Sequence, residues 1–461
     1  MRLFPYRVWI AVMIFFSGFT NYMMLSSISV SIVQMVGQPT IVPIPACKRV
    51  KGGTTTKEIN RTQTTHRVYD WTESQKSDIL GGYFWGYLMT IILGGVLSER
   101  IGPWHVLLWS SLLAAISTAL VPLFADLGYV AVTCARVVVG MCGGVAYPAI
   151  NTLMASWAPP QEKGKFVAAS LGNTFGMVVT FAVVGAVTHA TGWPWGFYVL
   201  AMIMVTYCLF FGFIVSDEPE KSRCTSQEER DFILESQEGH LNRKKKKFPP
   251  FLKIFSSKPF LTLTFCQFGS LWGLYQTVTY LPSFLSNTIG LELDTASSLA
   301  GLPYLARGIC CFIFGIVGDW MRKKKIMSVT NIRKFFIIFS HFIPAVCCFL
   351  IPAAGCSAAG IVILVMIMQG SNGSVAVSNL INPQDLAPNF AGTVFGIMQT
   401  FATFAGAIVP KVTSAFLDYY DREYIASTIA FAIAGGVYVI CGLAFVLFGS
   451  GETQPWNEIP D

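Results

Sequence analysis

The chain has 461 residues, of which 53% are hydrophobic and only 12% charged. Soluble domains carry roughly 25% charged residues, so this chain lacks the charge to coat a water-facing surface of its size. A net charge of +7 raises nucleic acid as a partner, but much of the excess sits in two runs, Arg243 to Lys247 and Arg322 to Lys325, that lie between apolar blocks. Cytosolic loops of membrane proteins collect Lys and Arg in this way, and such runs also meet anionic lipid. Composition therefore argues against a nucleic-acid binder and against an oily soluble protein. It predicts an integral, multi-pass protein of the lipid bilayer.

In chain order, apolar blocks near the roughly 20-residue span length stand at about 8–36, 77–98, 104–124, 127–155, 164–188, 193–215, 260–288, 296–318, 332–354, 358–380, 391–414 and 424–449. The first is far longer than the roughly 7–15-residue core of a signal peptide and has no small-residue cleavage site, so it is expected to stay as helix one. Twelve blocks predict an all-α fold of twelve transmembrane helices. Polar stretches divide them six and six: an N-terminal half 1–215 with an outer loop 37–76, a cytosolic central loop 216–258, a C-terminal half 259–449 and a cytosolic tail 450–461. With the N-terminus inside, the cytosolic segments hold 21 Lys and Arg and the outer segments nine, seven of them in the long first loop. That bias puts both termini in the cytosol. Asn60-Arg61-Thr62 then lies in the compartment where Asn60 can accept a glycan. Asn372-Gly373-Ser374 falls inside the tenth block, where the same tripeptide is silent.

The halves echo each other. Gly95 to Gly102, containing Glu99 and Arg100, follows the second block; Gly315 to Asp319, then Arg322 to Lys325, follows the eighth. A carboxylate and a nearby base can pin two helix ends in one conformation and release them in another. Glu99, Arg100, Asp319 and Arg322 are therefore candidate gating residues, and repeated halves suit a secondary transporter.

Charges within spans are costly and point to function. Two strongly basic residues fall well inside predicted spans, Arg136 in the fourth and Arg307 in the eighth, and no Asp or Glu lies deep in any. The planar guanidinium fork suits carboxylate and phosphate, so an anionic substrate is the natural missing counter-ion. Asn21, Ser27, Asn379, Asn382 and Gln399 are polar groups in or beside spans that cement helices or touch substrate; Asn382 joins the candidate site. Twelve cysteines lie mostly in apolar blocks and show no CxxC or Cys/His zinc spacing, so neither a metal site nor a cofactor is expected. No catalytic motif stands at a credible place, and runs such as Gly140 to Gly144 fit close helix packing; the chain is not expected to be an enzyme. No filter motif suggests a channel.

Several strings carry a resemblance: Gly82 to Tyr87 in span two, Arg136 with Gly140 and Pro148 in span four, Ser156 to Pro160 after it, Leu302-Pro303-Tyr304, Asn382 to Pro388, Gly449 to Glu452 and Gln454-Pro455-Trp456. In order and spacing the chain resembles the major facilitator superfamily, in the anion-transporter branch of sialin, the vesicular glutamate transporters and the type I sodium–phosphate cotransporters. The resemblance implies an alternating-access carrier with a central site between the halves, and a monomer is expected. It puts the substrate-binding arginine at Arg136 and cavity tyrosines at Tyr87, Tyr147 and Tyr275. Arg307 has no counterpart there and is a second anion contact on its position alone.

Departures matter equally. Leu25 stands where the sialin and glutamate-transporter pattern has an Arg, Leu80 where glutamate carriers have a His, and Ser270 where they have an Arg. Gly143 replaces the Glu implicated in proton coupling. His189 and His341 match no coupling position. The phosphate-cotransporter-like members fit better. The expectation is a symporter of small anions, sodium-coupled inorganic phosphate or an organic anion. A proton-coupled or uncoupled carrier of sialate, urate or an acidic amino acid stays open, as does a non-transporting receptor. So do the plasma membrane and an endolysosomal or vesicular membrane.

Overall fold

The computed structural model describes residues 5–36, 68–159, 166, 169, 171–222, 224–238, 249–420 and 423–457; Asn60 and the run Arg243 to Lys247 lie outside them. Long apolar segments in lipid must satisfy every backbone polar group internally, and helices do so within one segment. The first helices are α1 (Tyr6–Met35), α2 (Glu73–Ile101), α3 (Pro103–Ala119), α4 (Val121–Leu127), α5 (Tyr129–Trp157), α6 (Gly172–Thr191) and α7 (Trp193–Ile214). The polar α8 (Gln227–Glu238) follows. Then come α9 (Lys258–Ser283), α10 (Leu293–Lys323), α11 (Val329–Ile337), α12 (Ile343–Leu350), α13 (Ala358–Asn372), α14 (Ala391–Tyr419) and α15 (Glu423–Phe448). A π turn, Ile338–Phe342, joins α11 to α12. Among the described residues the one β pairing is an isolated bridge between Val36 and Tyr69.

Ten helical stretches are long and apolar enough to cross a membrane, and the pair α3–α4, bent by 50°, makes an eleventh. The bend follows from Pro122, which offers no amide to the carbonyl four residues back. Helix α9 stands where the seventh span was expected but carries Gln267, Ser270, Gln276 and several Thr and Tyr. Every residue from Gly269 to Pro282 is buried. A helix walled by protein on all sides need not be uniformly apolar, since lipid never solvates it. Helix α10 is the opposite case: Ile309, Phe312, Ile313 and Ile316 are exposed, a stripe that suits lipid.

The chain forms two compact units, one of residues 1–28, 82–180 and 194–246, the other of 29–81, 181–193 and 247–461. In the first, α3 packs on α5 and α2 meets α5 backbone to backbone. A Cβ added at Gly140 would strike the Tyr83 carbonyl, and one at Gly86 the Val137 carbonyl. Glycine is required at both places because any side chain would part the helices, and this contact brings Tyr83 against Arg136. In the second unit α9 is central, flanked mainly by α14 and α15, while α10 packs on α13.

Candidate functional site

In the first unit, α5 aims Arg136 at the middle of α1, and the residue is 2% exposed. Nη1 donates to the Met24 carbonyl at 2.9 Å and Nη2 to the Leu25 carbonyl at 3.0 Å. Mid-helix carbonyls already accept an amide four residues on and keep a lone pair to spare, so α1 supplies partners without supplying charge. The Tyr83 ring lies 5.3 Å from the guanidinium carbon, and its hydroxyl donates to Asn21 Oδ1 at 3.1 Å. Asn21 Nδ2 donates in turn to the Gly143 carbonyl at 3.4 Å. Among the described residues Arg136 Nε has no hydrogen-bond partner. Beside this arrangement lies a recess lined by Ser17, Thr20, Asn21, Met24, Tyr83 and Cys142 among others. Tyr87 and Tyr147 are half-buried, and the Tyr87 ring stacks 6.2 Å from that of Tyr83.

In the second unit, α10 delivers Arg307 to α13. Its Nη1 donates to Gln369 Oε1 at 3.1 Å and to Asn372 Oδ1, and the residue stays half-buried. Both amides are held from behind. Gln369 Nε2 donates to Thr277 Oγ1 at 2.8 Å and the Gly273 carbonyl at 3.2 Å. Asn372 Nδ2 donates to the Ser340 carbonyl at 2.8 Å and to Ser270 Oγ at 3.2 Å. Ser340 Oγ also meets His341 Nδ1 at 2.7 Å, and His341 Nε2 meets the Cys266 carbonyl at 2.9 Å. A carbonyl can only accept, so Nε2 carries the proton. A second chain links Gln399, Gln267 and Asn379 across α9 and α14. Tyr275 is 7% exposed on α9, two residues from Thr277. Buried networks of this kind hold their members in one geometry when every partner is satisfied. Here they leave Arg307 bound by neutral groups only. Among the described residues neither Arg136 nor Arg307 forms an ion pair.

A third arginine, buried like Arg136, shows the alternative. Arg333 on α11 donates from Nε to Asp385 Oδ2 at 2.8 Å, with side chains 4% and 6% exposed, and from Nη1 to the Val377 carbonyl at 2.6 Å. Asp385 belongs to the string Asn382 to Pro388, and that string is tied to the tail. Asn382 Nδ2 donates to the Ser450 carbonyl at 3.0 Å, Gln454 N to the Leu386 carbonyl at 2.8 Å, and Asn389 N to Asn457 Oδ1 at 3.0 Å. Asn382, expected at the anion site, instead fastens the tail, and among the described residues its Oδ1 has no hydrogen-bond partner. Of the expected gating residues, Arg100, Asp319 and Arg322 are exposed and in no ion pair among the described residues; the Glu99 side chain lies outside them. Asp217 accepts the Trp104 amide at 2.8 Å, capping α3 where Gly102, at φ 93°, turns the chain.

Sequence reasoning missed Gln369, Asn372 and Arg333. Gln369 and Asn372 stand three apart in an apolar span, which puts two amides on one helix face, a visible signal. Arg333 sat beside Lys334 at a span end and read as one more cytosolic charge.

The Major Facilitator Superfamily model matches residues 6–410. Human sialin is 30% identical over 97% of this chain and 90% of its own length. Mouse sodium-dependent phosphate transport protein 3 is 26% identical over 98% and 95%, and Xenopus laevis vesicular glutamate transporter 1 is 27% identical over 98% and 76%. Among solved structures, a D-xylose–proton symporter superposes with a TM-score of 0.68 at 16% identity, over 97% of this chain and 99% of its own. An inward-facing bacterial homologue of the human lysosomal transporter Spinster gives 0.64 at 12%, over 96% and 95%.

Proposed function

Because the chain belongs to the Major Facilitator Superfamily, we propose that it is a secondary active carrier of small anions, inorganic phosphate or an organic acid. The observation that carries this reading is the pair of in-span guanidinium groups that no carboxylate neutralises among the described residues. Placing an arginine at the centre of a membrane helix costs about 2.5–3.5 kcal/mol or more. Where the protein supplies its own anionic partner, as Asp385 does for Arg333, that cost is offset; two cations without such a partner invite an anion from solution. The names of the relatives, a sialin, a phosphate transport protein and a glutamate transporter, agree with that charge requirement.

The two arginines take different roles. Arg307 is half-buried, and its partners are side-chain amides. A substrate oxygen can replace Gln369 Oε1 at the guanidinium while Gln369 keeps its bonds to Thr277 and Gly273. We assign direct anion contact to Arg307, and we keep Tyr275 of α9 as a proposed hydroxyl donor to substrate. Arg136, whose two terminal nitrogens are occupied by α1, keeps the first unit positive and fixes Tyr83 beside the recess; Tyr87 and Tyr147 line the approach. Transport would proceed by alternating access of the halves 1–215 and 259–449, with both termini cytosolic. Gly143 provides no titratable group, so sodium is the coupling ion we favour. Hydroxyl and carbonyl oxygens suffice for it.

The test is uptake in proteoliposomes against a panel of phosphate, urate, sialate and glutamate, with sodium and proton gradients imposed separately. Uptake of at least one anion is expected, and Arg307→Ala should cut it by about 30- to 100-fold. Wild-type rates for every anion in a folded Arg307→Ala variant would overturn the assignment of that residue. No uptake of any anion under either gradient, with ligand binding retained, would turn the reading toward a receptor.

A further inference from the structure

Outside the arginine sites, one cluster of ligating side chains has no assigned task. His189, near the end of α6, faces Glu292 and Asp294 at the start of α10. One donor atom from each lies within 4.8 Å of the other two. These residues are over a hundred positions apart in sequence, and rigid packing sets their meeting. One turn before His189, a Cβ added at Gly185 would sit 2.6 Å from Ser297 Cβ and 3.7 Å from the Asp294 Cα. The two helices therefore touch directly beneath the cluster.

The three groups face one another without pairing. No ion pair among the described residues includes His189, Glu292 or Asp294. Glu292 stands at the position preceding α10 yet makes no capping bond with its side chain. Asp294 Oδ1 accepts the Thr295 amide at 2.6 Å, which orients the carboxylate and leaves its second oxygen available. Two carboxylates held this close repel, and no Lys or Arg among the described residues answers them.

We propose that His189, Glu292 and Asp294 form a binding site for a zinc-like divalent cation that ties the end of α6 to the start of α10. One imidazole nitrogen and two carboxylate oxygens are a three-ligand set typical of open zinc sites, with a fourth position left to water. Ligands about 2.0–2.2 Å from such an ion lie about 3.4 Å apart in a tetrahedron, so the observed cluster needs only a slight inward turn of side chains. Calcium and magnesium want six or more oxygens and tolerate imidazole poorly. A cation here would supply the missing positive charge and cross-link two helices.

The experiment is calorimetric titration of zinc chloride into the purified full-length protein, freed of any histidine tag, with thermal unfolding recorded in parallel. One strong site and a raised unfolding temperature are expected, as for any ligand bound only by the folded state. His189→Ala and Glu292→Gln should each weaken binding by about tenfold or more while leaving the metal-free unfolding temperature unchanged, and magnesium in excess should not compete. Zinc affinity unaltered in both variants, or no binding below about 100 μM, would overturn the site. No transported anion is needed, so the result is independent of the anion-carrier reading.

Discussion

The two in-span arginines are answered by different chemistry. Arg136 is sealed, with backbone carbonyls of α1 at 2.9 and 3.0 Å and a tyrosine ring over its face. Arg307 is half open and held by the side-chain amides of Gln369 and Asn372. Backbone carbonyls of a packed helix cannot turn away, whereas the amide oxygens of Gln369 and Asn372 can give up their place at the guanidinium to a substrate oxygen while their nitrogens stay bonded. A charge fixed by main chain is part of the scaffold, while a charge fixed by side chains can exchange one partner for a ligand. Arg333, paired with Asp385 and buried, completes the series as a charge that is fully answered.

The sharpest way to break this comparison is at the answered charge. Asp385→Asn should strand Arg333 in a buried setting and cost about 3–5 kcal/mol of stability, seen as a large fall in unfolding temperature. A change below about 1 kcal/mol would mean that the pair is not structural. Next comes Arg307→Ala, which should reduce anion uptake by about 30- to 100-fold, the equivalent of a lost charged hydrogen bond worth about 2–3 kcal/mol. Unfolding temperature should barely move, and a stability loss matching that of Asp385→Asn would place Arg307 with the scaffold. Arg136→Met should do the reverse, costing about 2 kcal/mol of stability through lost bonds and packing. In the molecules that remain folded, the apparent substrate KM should stay near wild type; a rise of about tenfold or more, some 1.4 kcal/mol, would give Arg136 the contact role instead. The smallest expected effect is Asn372→Ala, which frees Arg307 on one side. It should alter KM by about three- to tenfold, in line with about 1 kcal/mol for one hydrogen bond, and kinetics unchanged from wild type would show that the amide does not position the guanidinium.

Much of this molecule is legible in its sequence, unevenly. Span lengths and the six-plus-six spacing follow from local hydropathy, and ten or eleven of the twelve expected spans meet the test of length and apolarity. The exception is α9, whose polar residues face protein partners supplied by distant segments, so its burial cannot be summed from its own composition. Gly140 is legible as a packing residue, and its contact with the α2 backbone is that packing; the matching role of Gly86 against α5 comes only from the structure. The strings Asn382 to Pro388 and Gly449 to Trp456 were each visible, but nothing local says that they bind one another.

The sequence alone determined that the chain lives in lipid, because the free energy of moving a segment from water to hydrocarbon is nearly a sum over its own residues. It also determined that two arginines lie inside spans with no carboxylate at hand in the same span. Only the tertiary structure decided which guanidinium is sealed and which stays available, that Asn382 serves the tail, and that His189 meets Glu292 and Asp294. Those outcomes depend on helix contacts between residues far apart in the chain, and a partner's identity cannot be read until packing has brought it within hydrogen-bond reach.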